Sequence, residues 1–218
     1  MNPVLRASPR YPVSLRVDFP GDEGSRADEA TSLSTGGMFV RTERELPVGA
    51  LLPVALELPD GDPPAPVQGR ILYKSKRRPR GVEPGFGVQF VAGDETFRAR
   101  VGRYIDSLLR NSNVPTARLL SIARDLLREK GWSQLYPRGV DGSYCLTVAL
   151  REAARDDRDL YRAALRSLGS RLDVEACAHG GFDCHCAVVR WNDREGRTQR
   201  QVIAKLDEVI SAELSVHR

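Results

Sequence analysis

Between Tyr11 and Ala92 apolar and polar residues alternate in short runs broken by turn clusters. Val13-Ser14-Leu15-Arg16-Val17-Asp18-Phe19 reads as a half-buried strand, and Pro20-Gly21-Asp22-Glu23-Gly24 ends it. Further strands are predicted at Met38–Arg41, Leu51–Leu58, Val67–Ser75 and Gly87–Val91. Pro59-Asp60-Gly61-Asp62-Pro63-Pro64 and Pro79-Arg80-Gly81 separate the later ones. Many short strands at this spacing predict a sandwich or a barrel, and barrel closure leaves no free edges.

After Asp94, a candidate N-cap, the period becomes helical, with Phe97, Val101, Tyr104, Ile105, Leu108 and Leu109 in register. Asn111-Ser112-Asn113-Val114-Pro115 ends that helix as a linker, which predicts domains at 1–112 and 113–218. Pro115 opens a second amphipathic helix that Gly131 closes. Helices are also predicted at Cys145–Ala154, at Leu160–Leu172 and from Thr198, where Thr198-Gln199-Arg200-Gln201 has capping-box spacing. A strand is expected at Ala187–Trp191 within this mainly helical half.

Composition narrows the classes. The 33 Lys+Arg against 29 Asp+Glu give a net charge of +4, divided almost evenly between the halves. That excludes a concentrated nucleic-acid footprint, so no DNA partner is expected. No apolar run approaches the ~18–20 residues that span a bilayer, and Met1 leads straight into charged sequence. The expected compartment is the cytoplasm, without membrane insertion.

Candidate chemistry gathers near the N-terminus. Arg6 and Arg10 lie four residues apart on a segment that can wrap a ligand. A guanidinium binds phosphate through two N–H groups, stacks on bases and reads the guanine edge. Ser32 and Ser34 alternate on an extended segment, so both hydroxyls can face one side, and Gly37 permits close backbone approach. Together these residues suit a phosphate-bearing nucleotide held on the outside of a barrel.

The residues resemble the PilZ domain family of bacterial cyclic di-GMP receptors. The family pattern is Arg-x-x-x-Arg, then Asp or Asn, x, Ser, x, x, Gly. Arg6, Arg10, Ser32, Ser34 and Gly37 fall on it, with serine at position 32 where the family has Asp or Asn. Gly36–Thr42, Leu46-Pro47-Val48-Gly49, Gly69–Tyr73 and Gly85–Phe90 follow in the family's order, and the likeness covers roughly residues 5–110. It implies a six-stranded antiparallel barrel with a following helix, with cyclic di-GMP as the ligand of those five residues.

The second half has a different resemblance. Gly131-Trp132, Gly142–Leu146 and Trp191–Thr198 are similar to a small helical bacterial domain of unknown function over residues 116–212. Trp191 is expected in the core, with Asn192 and Asp193 shaping a turn across which Asp193 and Arg197 can pair. Cys177, His179, Cys184 and Cys186 could converge on zinc only through a very tight loop, with no second knuckle. Metal, redox thiol and ordinary cysteine readings stay open. The last is preferred, so no metal ligand is assigned, and Cys145 reads as a small buried thiol. Asp193, His179 and His185 lack a nucleophile–base pattern, so no catalytic residue and no enzyme are expected. The leading expectation is a cyclic di-GMP effector whose helical domain meets a protein partner. The alternative is a barrel that binds no nucleotide and acts as an interaction adaptor.

Overall fold

The computed structural model describes residues 9–19, 28–75, 83–92, 95–179 and 181–216. Contacts divide the chain into two compact units, Met1–Ser107 and Leu108–Arg218. The division falls a few residues before the predicted linker.

In the first unit the period-two runs become β1 (Tyr11–Asp18), β2 (Asp28–Ser34), β3 (Gly37–Arg41), β4 (Leu51–Leu56), β5 (Ala65–Ser75) and β6 (Gly85–Ala92). All pairings are antiparallel, and the strands close into a barrel in the order β1-β2-β3-β6-β5-β4. Alternation places Tyr11, Val13, Leu15 and Val17 inside with Met38, Val40, Val67, Ile71, Phe86 and Val88. Their neighbours on each strand face outward. The six-stranded barrel expected from the sequence is therefore present.

The helix α1 (Glu95–Arg110) follows β6, and its start lies against the barrel. Phe97 meets Phe90 edge-on at 5.0 Å between centroids. Arg100 grips the β4–β5 loop, donating from Nε and an Nη to the two oxygens of Asp60, both at 2.6 Å, and to the Pro63 carbonyl at 2.8 Å. The Arg100 hydrogen bonds hold the Asp60 carboxyl down at about 2. Asp94 and most of the Lys74–Arg80 run lie outside the described residues. Lys74 itself pairs with Glu45 at 2.7 Å.

The second unit is helical: α2 (Pro115–Lys130), α3 (Leu146–Ala154), α4 (Arg158–Gly169), α5 (His185–Asn192) and α6 (Gln199–Val216). Leu119, Leu120, Ala123 and Leu127 of α2 join Leu146, Leu150, Leu165, Leu168, Val202 and Leu206 in its core. The capping box forms as expected: the Thr198 N–H donates to Gln201 Oε1 at 2.9 Å and the Gln201 N–H to Thr198 Oγ1 at 3.3 Å.

Two sequence expectations change here. The segment predicted as a strand at Ala187–Trp191 is the helix α5. Ala187, Val188 and Trp191 fall at i, i+1 and i+4, so one helical face enters the core and packing overrides the β-propensity of Val188-Val189. Nor do Asp193 and Arg197 pair. The Asp193 carboxylate accepts from the Leu135 N–H at 2.9 Å and from Asn192 Nδ2 at 2.7 Å. Arg197 instead stacks 3.9 Å over the Trp191 ring and donates to the Trp191 carbonyl at 3.1 Å. Buried Asn192 ties this turn to the loop before α3: its Oδ1 accepts from Trp132 Nε1 at 2.7 Å and from the Leu146 N–H at 3.3 Å.

Candidate functional site

The candidate surface is built at the β2–β3 turn. Ala30 and Leu33 are both fully buried although three residues apart, which strict alternation forbids. The register shift between Ala30 and Ser32 resolves this: Thr31 is an extra residue in β2. The bulge turns Ser32 outward while Leu33 stays inside. Arg10 immediately precedes Tyr11, whose partner is Leu33, and Pro12 pairs with Ser32. The start of β1 thus brings Arg10 alongside this end of β2. Arg6 lies outside the described residues.

Ser34 and Gly37 are placed there by the sequence reading, yet both have structural duties. The Ser34 hydroxyl donates to the Gly37 carbonyl at 3.0 Å and accepts the Gly36 N–H at 3.3 Å, closing the two-residue turn. Its residue is 3% exposed, so the hydroxyl is directed into the turn. At Gly37 a Cβ would collide with the Val88 carbonyl oxygen of β6. The missing side chain admits the neighbouring strand, and Gly37→Ala is expected to cost the barrel about 1–3 kcal/mol through forced backbone shift. A urea denaturation midpoint unchanged from that of the parent protein would contradict this packing role.

Cross-strand register adds residues that the motif does not name. Ser32 pairs with Phe39, Phe39 with Gly87, and Gly87 with Tyr73. Residues directly opposite share a face, so Ser32 is followed on the outer surface by an aromatic platform. The Phe39 and Tyr73 rings stack with centroids 6.4 Å apart and planes 27° apart. Gly87 lies under the Tyr73 ring, where a Cβ would clash. A parallel row joins Ser34, Gly37, Gln89 and Arg70. Arg41 is committed to Glu29 and Glu83, and Arg44 to Asp28, whereas Arg70 has no ion pair among the described residues. Alternation with buried neighbours could have yielded Phe39 and Arg70, but not Tyr73, which a register shift after Ile71 turns outward from a position that strict alternation places inside.

A closed six-stranded antiparallel barrel that carries this turn, with a helix after its last strand, decides the comparison. Residues 5–107 match the PilZ domain. Residues 111–212 match a family of unknown function (DUF6197). No curated protein matches the chain. Among solved structures, the chain is similar to the Bacillus subtilis inhibitor of motility MotI/DgrA, at 14% identity and a TM-score of 0.42, covering 49% of this chain and 52% of that one. It is similar to Escherichia coli YcgR in complex with c-di-GMP at 20% identity and 0.40, covering 48% and 46%. A third likeness is to the PilZ domain of CeSA from a cellulose-synthesizing bacterium, at 20% identity and 0.33, covering 45% and 96%. The chain thus spans about half the length of MotI and YcgR. No helix among the described residues is long and apolar enough to cross a membrane.

Proposed function

We propose that this protein is a cytoplasmic, non-enzymatic effector that binds cyclic di-GMP on the outside of its PilZ-matching barrel and signals through its helical unit to a protein partner. One observation carries the reading. Arg10 stands beside the outward-turned Ser32, and Ser32 heads a cross-strand row that runs through Phe39 of β3 and Gly87 of β6 to Tyr73 of β5. Such a surface offers what the ligand requires: a guanidinium fork for phosphate or the guanine edge, a hydroxyl, and a flat apolar seat for a base. In this reading Arg6 and Arg10 clamp the phosphate and guanine of the ligand, and Ser34 and Gly37 shape the turn that presents the site.

The adaptor reading also has a specific support. Position 32 lacks a carboxylate, and the Ser34 hydroxyl is already engaged. Calorimetric titration separates the two. Binding heat with cyclic di-GMP is expected, and silence up to high micromolar ligand would leave the adaptor. A second outcome follows from Ser32. A carboxylate there adds a hydrogen bond to the ligand worth about 0.5–1.5 kcal/mol, so Ser32→Asp is expected to tighten binding by up to roughly tenfold. Weaker binding in that variant would argue against Ser32 facing the base edge.

A further inference from the structure

The loop before α5 is as tight as a metal site there requires. Cys177 and Gly181 exchange backbone hydrogen bonds of 3.1 and 2.7 Å, which folds the segment back on itself. Two contacts fasten the loop to α4. The Phe182 ring covers Gly169, where a Cβ would lie 3.0 Å from Cδ1. Arg166 holds both oxygens of Asp183, at 2.6 and 2.7 Å. Cys184 then caps α5, and Cys186 follows in its first turn.

The result is a compact donor set. The sulfurs of Cys177, Cys184 and Cys186 all lie within 4.8 Å of one another. Cys184 and Cys186 are 3.0 Å apart, and His179 Nδ1 is 3.3 Å from Cys177 Sγ. A tetrahedral zinc ion with bonds of about 2.3 Å to sulfur and 2.0–2.1 Å to nitrogen needs S···S near 3.8 Å and S···N near 3.6 Å. The Cys184–Cys186 spacing is shorter than the first and the Cys177–His179 spacing approaches the second; the three sulfurs already converge, and the His179 ring must turn in toward Cys184 and Cys186 to complete the set. The peptide N–H groups of His179 and Cys186 point at the sulfurs of Cys177 and Cys184, at 3.4 and 3.5 Å. Donors so placed stabilise a thiolate. Three thiolates this close repel one another strongly, and a divalent cation removes that repulsion.

We propose that Cys177, Cys184 and Cys186, with His179 as fourth ligand, bind a structural zinc ion that fixes the loop between α4 and α5. Soft thiolates with one imidazole favour zinc over hard cations, and four protein ligands close the coordination sphere. Each zinc–sulfur bond forms as its thiol releases a proton to solvent, the neutral imidazole binds through a ring-nitrogen lone pair, and no oxidant takes part. The site is independent of nucleotide binding by the barrel, so either proposal can fail alone.

Elemental analysis of the full chain purified under reductant, without added chelator, is expected to find about one equivalent of zinc. Exchange with cobalt(II) should give the intense thiolate-to-cobalt charge-transfer absorption of a mainly sulfur site. Cys184→Ser should lose both signals, and Cys145→Ser, whose thiol belongs to the start of α3, should keep both. His179→Ala should keep the charge-transfer band but surrender its metal to a chelator more readily. Less than about a tenth of an equivalent of zinc, together with no charge-transfer band on adding cobalt, would overturn the proposal. A Cys184–Cys186 disulfide in the reductively purified protein, seen as a mass two daltons lower, would do the same.

Discussion

Arg10→Ala should reduce cyclic di-GMP affinity by roughly 10- to 150-fold, the equivalent of losing a charge-assisted contact of about 1.5–3 kcal/mol. Arg10 sits one residue before β1, whose Pro12 is opposite Ser32. It is therefore beside the one hydroxyl of the motif that the bulge at Thr31 turns outward. Arg10→Lys should fall between the two, because an ammonium keeps the charge but loses the planar fork. Arg6→Ala should behave like Arg10→Ala if both arginines close on the same ligand. Arg70 is the control. Arg70 lies on β5 in the row of Ser34, Gly37 and Gln89 rather than in that of Ser32, Phe39 and Tyr73, so Arg70→Ala should change affinity less than Arg10→Ala. Titration calorimetry with each variant decides the matter. Equal affinity in Arg10→Ala and the parent protein would place the ligand elsewhere, and a large loss in Arg70→Ala would centre it on the row of Gln89 and Arg70.

Much of this architecture could be read in the residues, and the failures have definite causes. The inward stripe of β1 follows from simple alternation, as do the outward positions of its partners. The bulge at Thr31 has no such signature, because an extra residue is defined only against the partner strand. Without it, Ser32 and Leu33 would exchange faces, so the orientation of the key serine depends on pairing that sequence does not display. The Ser34 hydroxyl could be assigned to a ligand only while its turn was unknown. Once Gly36 and Gly37 are brought back over it, backbone groups use the same oxygen. Val188-Val189 misled for a related reason: β-branching records a local preference, whereas Trp191 and Ala187 share a helical face that only tertiary packing rewards. At Cys177–Cys186 the sequence did reveal the condition, a very tight loop. Whether the chain meets it depends on Arg166 and Gly169 of α4, residues outside the segment.

The largest stability loss is expected at a position that the periodicity concealed. On α6 the apolar face is Val202, Leu206, Val209 and Ile210, and Asp207 lies among them at 5% exposure. Its Oδ1 is 2.9 Å from an Nη of Arg124 on α2, itself 2% exposed, and its Oδ2 is 3.5 Å from Arg128. Asp125 adds a second carboxylate oxygen 2.9 Å from Arg124, from a half-exposed side chain. Asp207→Ala removes the buried carboxylate that faces Arg124, and breaking a buried ion pair costs about 3–5 kcal/mol. Against a typical domain stability of about 5–15 kcal/mol, that is a large fraction of the whole. Both tryptophans of the chain, Trp132 and Trp191, lie in this unit, so urea unfolding followed by their fluorescence reports on it without contribution from the barrel. Asp207→Asn should lose less, because it keeps an acceptor oxygen facing Arg124. The paired change Arg124→Met with Asp207→Leu should recover most of the loss, since removing both charges also removes their desolvation cost. If Asp207→Ala shifts the stability by less than about 1 kcal/mol, Asp125 and solvent already compensate Arg124, and the α2–α6 contact rests on its apolar side chains alone.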